Sequence, residues 1–183
     1  MYTLMNTDTP NDTTQWFAIR TRQDFRAEEV LASRCQEVFF PKESVTVKGG
    51  KDRVRALIPR VLFIRTTRDN ALALEAEGRR NPDCSIPLWI YRYPKDDAIQ
   101  VIPPASISLL RLLSSGDTGE CRIYNPQHFT PGQRVRVIGG IFAGYEGFVK
   151  RISKNRHVIV RIEGICMVVL PFIHPDLLEV IPD

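Results

Sequence analysis

The chain has 183 residues, 43 % of them hydrophobic and 25 % charged, with a formal net charge of +4. That balance suits one large or two small folded domains and argues against disorder over most of the length. No apolar run approaches the roughly 18 residues of a membrane-spanning helix, and Met1 to Gln15 lacks the basic-then-apolar pattern of a secretory leader.

Charge is unevenly spread. Residues 48–68 and 131–161 each carry a net +6, whereas 1–47 and 69–130 are each −2 and 162–183 is −4. Two basic blocks in an otherwise mildly acidic chain point to nucleic-acid contact or to solvated hairpins. Four cysteines at 35, 84, 121 and 166 are far apart and form no C-x-x-C, which fits reduced thiols in a cytoplasmic protein. His128, His157 and His174 are not near a cysteine or carboxylate at metal-ligand spacing, so no metal or cofactor is expected.

In chain order, residues 1–14 are expected to be a loose tail. Trp16 to Thr21 reads as a strand. Asp24 is expected to cap a helix over Arg26–Gln36, with Ala27, Val30 and Leu31 on its apolar face. Val38 to Pro41 reads as a short buried strand or the entry to one. Two β-prone runs around Gly49-Gly50 form a hairpin with basic residues near its tip. Val61 to Thr67 begins with an almost unbroken apolar run, as in a central strand covered on both faces. A second helix over Asp69–Glu77 is capped by Asp69 or Thr67 and stopped by Gly78. Short strands follow around Trp89–Tyr93 and Ile99–Ile102, and Pro103-Pro104 opens a third helix. Residues 115–130 read as a linker.

From residue 131 the texture is dense β. Runs at 134–138, 147–152, 157–162, 165–170 and 177–181 suggest a small barrel. Its first loop holds glycines at 139, 140, 144 and 147, where a positive φ or a close backbone approach would favour them, and Phe142 can anchor that loop to the core. No phosphate-cradling loop, nucleophile elbow or zinc-protease motif is present. Asp96-Asp97 reads as a solvated turn. The expectation is a binding protein rather than an enzyme.

The segment Gly132–Val149, with Gly140, Phe142, Gly144 and Gly147, resembles the KOW motif of elongation factors and ribosomal proteins. Trp16–Thr21, the first helix, Phe39–Pro41, the basic hairpin and Leu57–Ile64 resemble the NusG N-terminal (NGN) domain. The likeness spans residues 15–183. The implied fold class is α+β: an NGN domain at 15–114, a small and mostly antiparallel sheet flanked by helices, then a linker at 115–130 and an SH3-like β-barrel with its KOW motif at 131–183. Ile58–Thr67, Gly139–Phe142 and Phe172–Pro175 are most similar to the UpxY-type antiterminators of Bacteroidetes surface-polysaccharide operons.

This resemblance implies a monomeric cytoplasmic transcription elongation or antitermination factor. An apolar face of Phe17, Ile58, Pro59, Val61 and Phe63 would dock on the clamp helices of the largest RNA polymerase subunit. General family members carry Phe-Pro-Gly-Tyr where this chain has Ile58-Pro59-Arg60-Val61, so that edge loses two aromatics and gains a charge. Arg20, Arg22, Lys48, Lys51, Arg53 and Arg55 would face upstream or non-template DNA. The KOW domain would recruit a termination factor, a ribosomal protein or nascent RNA. A housekeeping NusG and a ribosome- or RNA-binding KOW protein are the alternatives.

Overall fold

The computed structural model describes residues 13–45, 50, 52–81, 85–116, 122–124, 132–152 and 155–182. The chain divides into two compact units, residues 1–41 with 59–104, and residues 42–58 with 105–183. No helix among the described residues is long and apolar enough to cross a membrane.

The first unit is built on a four-stranded antiparallel sheet in the order β2-β5-β1-β6. Its strands are β1 (Gln15–Thr21), β2 (Glu37–Phe39), β5 (Val61–Thr66) and β6 (Leu88–Ile90). β5 and β1 are central, and Val61, Leu62, Phe63 and Ile64 are all buried. The unbroken apolar run therefore marks a strand covered on both faces. Helix α1 (Asp24–Ala32) packs against β2, β5 and β1, and α2 (Arg68–Arg80) against β6.

Local chemistry sets the helix ends. The Thr67 hydroxyl accepts from the Asn70 amide at 3.3 Å and caps α2, leaving Asp69 in the first turn, where the helix dipole favours it. Asp24 was expected to cap α1. It is instead the first residue of that helix; its carboxylate accepts from the Phe25 amide at 3.1 Å and from the Arg60 amide at 3.3 Å. Gly78 does not stop α2. The helix continues to Arg80, and a Cβ at Gly78 would lie 2.5 Å from the Ile86 carbonyl oxygen. Glycine is present there so that the returning chain can pass close to the helix. The expected strand at 99–102 is reduced to single bridges, Phe17 with Val101 and Arg92 with Ile99.

In the second unit, β3 (Lys42–Val45) and β4 (Arg53–Ala56) form the expected antiparallel hairpin. Residues 46–49 and 51 of its tip, Lys48 and Lys51 among them, lie outside the described residues. Helix α3 (Pro104–Ser114) buries Ile107, Leu109, Leu110 and Leu113. The large sheet has the order β12-β8-β9-β10-β11-β7. Its strands are β7 (Arg122–Tyr124), β8 (Arg134–Val137), β9 (Glu146–Ile152), β10 (Asn155–Ile162), β11 (Cys166–Val169) and β12 (Leu178–Val180). The five strands anticipated after residue 131 are all present. β7 is an addition: part of the segment read as a linker pairs with β11. Among the described residues the ladder runs from β12 to β7 without those two strands pairing, so it ends in two edges.

The β8–β9 loop shows why its sequence is glycine-rich. Gly140 and Gly144 have φ of 77° and 89°, a region that costs an L-residue roughly 1–2 kcal/mol. A Cβ on Gly147 would lie 2.4 Å from the Ile159 carbonyl oxygen on the neighbouring strand. Phe142 is buried and plugs the loop into the core, and the Gly144 amide donates to the Val137 carbonyl at 2.8 Å.

Candidate nucleic-acid and polymerase interface

The expected apolar docking face is corrected by burial and by register. Phe17 is 1 % exposed, Ile58 7 %, Val61 4 % and Phe63 0 %. Phe17 pairs with Ile64, whereas Ala18 pairs with Phe63. Directly opposed residues share a face of a sheet and successive residues alternate, so Phe17 points away from the face that carries Val61 and Phe63. These side chains build the core of their own domain and do not form one exposed patch. Only Pro59 of that set is exposed.

What the sheet edge does expose is cationic and aromatic. Arg20 lies between Val61 on one side and Trp89 on the other in the strand register, so the three side chains project from one face. Leu88 and Ile90 are buried and Trp89 between them is 45 % exposed, as strand alternation requires. Arg20, Thr21, Arg22, Arg60 and Trp89 line a surface cleft of about 340 Å³. None of the three arginines forms an ion pair with a described residue.

The cleft is firmly framed. The Thr21 hydroxyl donates to the Pro87 carbonyl at 2.8 Å. Glu75 on α2 is buried; it accepts from the Ile90 amide at 3.0 Å and from the Arg92 guanidinium at 2.7 Å. β6, an edge strand, is thus tied to β1 on one side and to a helix carboxylate through Ile90. Arg60 has φ of 66°. Its amide donates to Asp24 and its carbonyl accepts from the Thr21 amide at 3.0 Å, which holds the residue in the left-handed region.

Other expected nucleic-acid residues are placed less consistently. Arg53 on the hairpin is exposed, but Arg55 is ion-paired with Glu43. The hairpin and the Arg20–Arg22 end of β1 belong to different units. In the C-terminal sheet, Arg134 and Arg136 both bind Glu146, at 2.8 Å and 2.6 Å. The guanidiniums hold the Glu146 carboxyl below its ordinary value through hydrogen bonds, from Arg136 first and then Arg134. The Arg161 guanidinium sits 5.6 Å over the Phe148 ring.

Cys35 and Cys166 are free thiols. Burial pushes them up to about 11 and about 12 respectively, so neither is a thiolate nucleophile at neutral pH. Cys84 and Cys121 lie outside the described residues. Among the described residues no group of three or more His, Cys, Asp or Glu could hold a metal ion.

Two family models match. Residues 14–81 match "Transcription termination factor nusG" and residues 131–163 match "KOW motif". No curated protein sequence matches. Among solved structures, one titled "Domain interaction in Thermotoga maritima NusG" is 16 % identical, with 93 % of this chain and 98 % of that one covered and a TM-score of 0.48. Another, titled "Crystal Structure of MjSpt4:Spt5 complex conformation B", is 17 % identical over 92 % and 97 %, with a TM-score of 0.28. Neither superposition is close enough to assign a residue. The NusG segment followed by the KOW motif, on an α+β chain with a helix-flanked antiparallel sheet ahead of a glycine-looped one, gives this chain a NusG-like fold with an NGN and a KOW domain.

Proposed function

We propose that the protein is a transcription elongation and antitermination factor. Its NGN domain binds RNA polymerase at the clamp helices of the largest subunit, and its KOW domain recruits a further factor: a termination factor, a ribosomal protein or nascent RNA. The observation that supports this best is the joining of a NusG segment to a KOW motif in one chain. The domain bounds 15–114 and 131–183 belong to the same proposal. The mechanism is binding. A factor that grips the elongating polymerase more tightly than the paused one shifts the balance toward elongation by the ratio of those affinities.

Pro59, at the exposed turn before β5, is the member of the expected docking set that a partner can touch directly. Val61 and Phe63 anchor the strand that follows it. Arg20, Arg22 and Arg53 are exposed cations for phosphate contact, which gives salt-sensitive affinity without sequence choice. The likeness of Ile58–Thr67 and Phe172–Pro175 to UpxY-type proteins supports work in the cytoplasm on one long surface-polysaccharide operon rather than on all genes.

The test is co-purification of the full chain with RNA polymerase from its own cells, with ribosomal subunits sedimented in parallel. Co-elution with polymerase, weakened by Pro59→Glu, is expected. Co-sedimentation with ribosomal subunits and no polymerase would favour a ribosomal KOW protein instead.

A further inference from the structure

One face of the C-terminal sheet carries a second cleft, of about 360 Å³, lined by Arg134, Glu146, Gly147, Phe148 and Arg161. The strand register builds it. Phe148 on β9 lies between Arg134 on β8 and Ile159 on β10, and directly opposed residues share a face. Arg161 stands two residues along from Ile159, so it returns to that same face. Ile159 is buried in a cluster with Met167 and Val169, whereas Arg161 is exposed and Phe148 is half-buried. The cleft therefore sets a guanidinium at the rim of an apolar surface.

The charges on this face are not equivalent. Arg134 and Arg136 bind Glu146 at 2.8 Å and 2.6 Å, and Arg136 also meets Glu179 at 3.6 Å. Those two guanidiniums and two carboxylates leave no net charge. Arg161 stands apart. It forms no ion pair with a described residue, and its guanidinium lies 5.6 Å from the centre of the Phe148 ring, within reach of a cation–π attraction. The ring restrains the cation without supplying a lone-pair acceptor. The N–H donors remain for a ligand, and their planar fork fits a carboxylate. One restrained guanidinium beside an apolar ring matches a carboxylate flanked by an apolar side chain, which is what a protein segment presents; Arg and Phe are both enriched where proteins meet. A nucleic-acid backbone instead presents a charge at every nucleotide, about 3.4 Å apart along each strand, and would meet the Glu146 carboxylate in the wall of the same cleft.

We propose that this cleft is a docking site for an acidic segment of a partner protein, with a Glu or Asp carboxylate held by Arg161 and the neighbouring apolar side chain packed on Phe148. This rests on the reading of the KOW domain as a recruiter and deepens it. Among the partners named there it selects a protein over nascent RNA, and it states the chemistry that is recognised. It does not depend on polymerase docking.

The experiment titrates the full-length protein into a fluorescently labelled synthetic peptide of repeating Glu-Leu-Ser, with its Gln-Leu-Ser counterpart and an oligouridine of matched charge in parallel. Saturable binding of the Glu peptide, and none of the Gln peptide, is expected. Arg161→Gln should weaken that binding about tenfold, within the range for loss of one charge-assisted hydrogen-bonded contact. Arg161→Lys should weaken it nearly as much, because an ammonium keeps the charge and loses the fork; general attraction to a basic protein would not distinguish the two. Arg161 is exposed, so both variants should melt with the parent, and a binding loss in them is not a folding loss. Phe148→Leu, which keeps an apolar side chain and removes the ring, should weaken binding severalfold. In nuclear magnetic resonance spectra the Arg161 Nε–H signal should move when the Glu peptide is added. No binding of the Glu peptide by the parent, equal binding of the Glu and Gln peptides, or unchanged affinity in Arg161→Gln overturns the proposal. So does an Arg161→Lys protein that binds as the parent does. Tighter binding of the oligouridine, lost in Arg161→Gln, also overturns it and would assign the cleft to RNA. None of these outcomes touches the polymerase co-purification.

Discussion

Two of the turns that take a left-handed backbone in this protein meet that demand differently. In the KOW loop, Gly140 and Gly144 take φ of 77° and 89°. Nothing lies within 4 Å of where their Cβ atoms would be, so conformation alone selects glycine there. In the turn before β5, Arg60 takes φ of 66° and bears the steric cost. The first turn is optimised for its fold. The second gives up stability for a side chain that lines a cationic cleft. Sites of strain with a chemically capable side chain are where function is best sought, and sites relaxed by glycine are where architecture is secured.

Substitutions should separate the two cases. The largest effect is expected from Gly147→Val. Its Cβ would meet the Ile159 carbonyl oxygen at 2.4 Å, and because that obstacle is strand backbone rather than a flexible side chain a loss of about 3 kcal/mol or more is expected; urea melts followed by circular dichroism would show the C-terminal sheet failing first. Next is Glu75→Ala, which leaves the buried Ile90 amide unpaired and releases Arg92. A cost of about 2–3 kcal/mol is expected, together with faster amide exchange at Ile90, the neighbour of Trp89. Gly144→Ala should cost about 1–2 kcal/mol, whereas Arg60→Gly should be neutral or stabilising by up to about 1 kcal/mol. Opposite signs for these two in matched thermal melts would sharpen the comparison, and equal signs would break it. Thr67→Ala removes the α2 cap and should cost about 1 kcal/mol.

The smallest effect is electrostatic. Glu146 is held below its ordinary value of 4.5 by hydrogen bonds from Arg136 and Arg134. A carboxyl lowered in the folded state contributes stability above its unfolded value, and that contribution disappears as pH falls through the lowered folded value. Glu146→Gln should therefore reduce the acid sensitivity of the melt below about pH 4.5 and leave neutral-pH stability nearly unchanged, because the pair is solvent-exposed and screened.

Periodicity made most of the fold legible. The alternating runs at 134–138 and 157–162 and the solid apolar run at 61–64 each became the strand their pattern implied. Gly78 misled because a glycine in a helix can mean a stop or a close approach, and only the position of Ile86 decides. Arg122–Tyr124 was hidden between polar, turn-rich segments, since three residues carry too little pattern to register as a strand. The docking set failed for a clearer reason. Hydrophobicity at 17, 58, 61 and 63 shows that these residues prefer to leave water, and the protein core satisfies that preference as well as a partner would. The cleft was partly readable. The charge at Arg60 stood out, and the Leu88-Trp89-Ile90 alternation places Trp89 opposite its buried neighbours. Its juxtaposition with Arg20 depends on register, which local sequence does not determine.

The central claim is that this chain acts on transcribing RNA polymerase. Single-round transcription of a long leader template by the cognate polymerase, with and without the purified protein, tests it directly. The account predicts shorter pauses and more read-through with the protein present, reduced by Pro59→Glu. Pause lifetimes and termination that stay the same at saturating protein would contradict it.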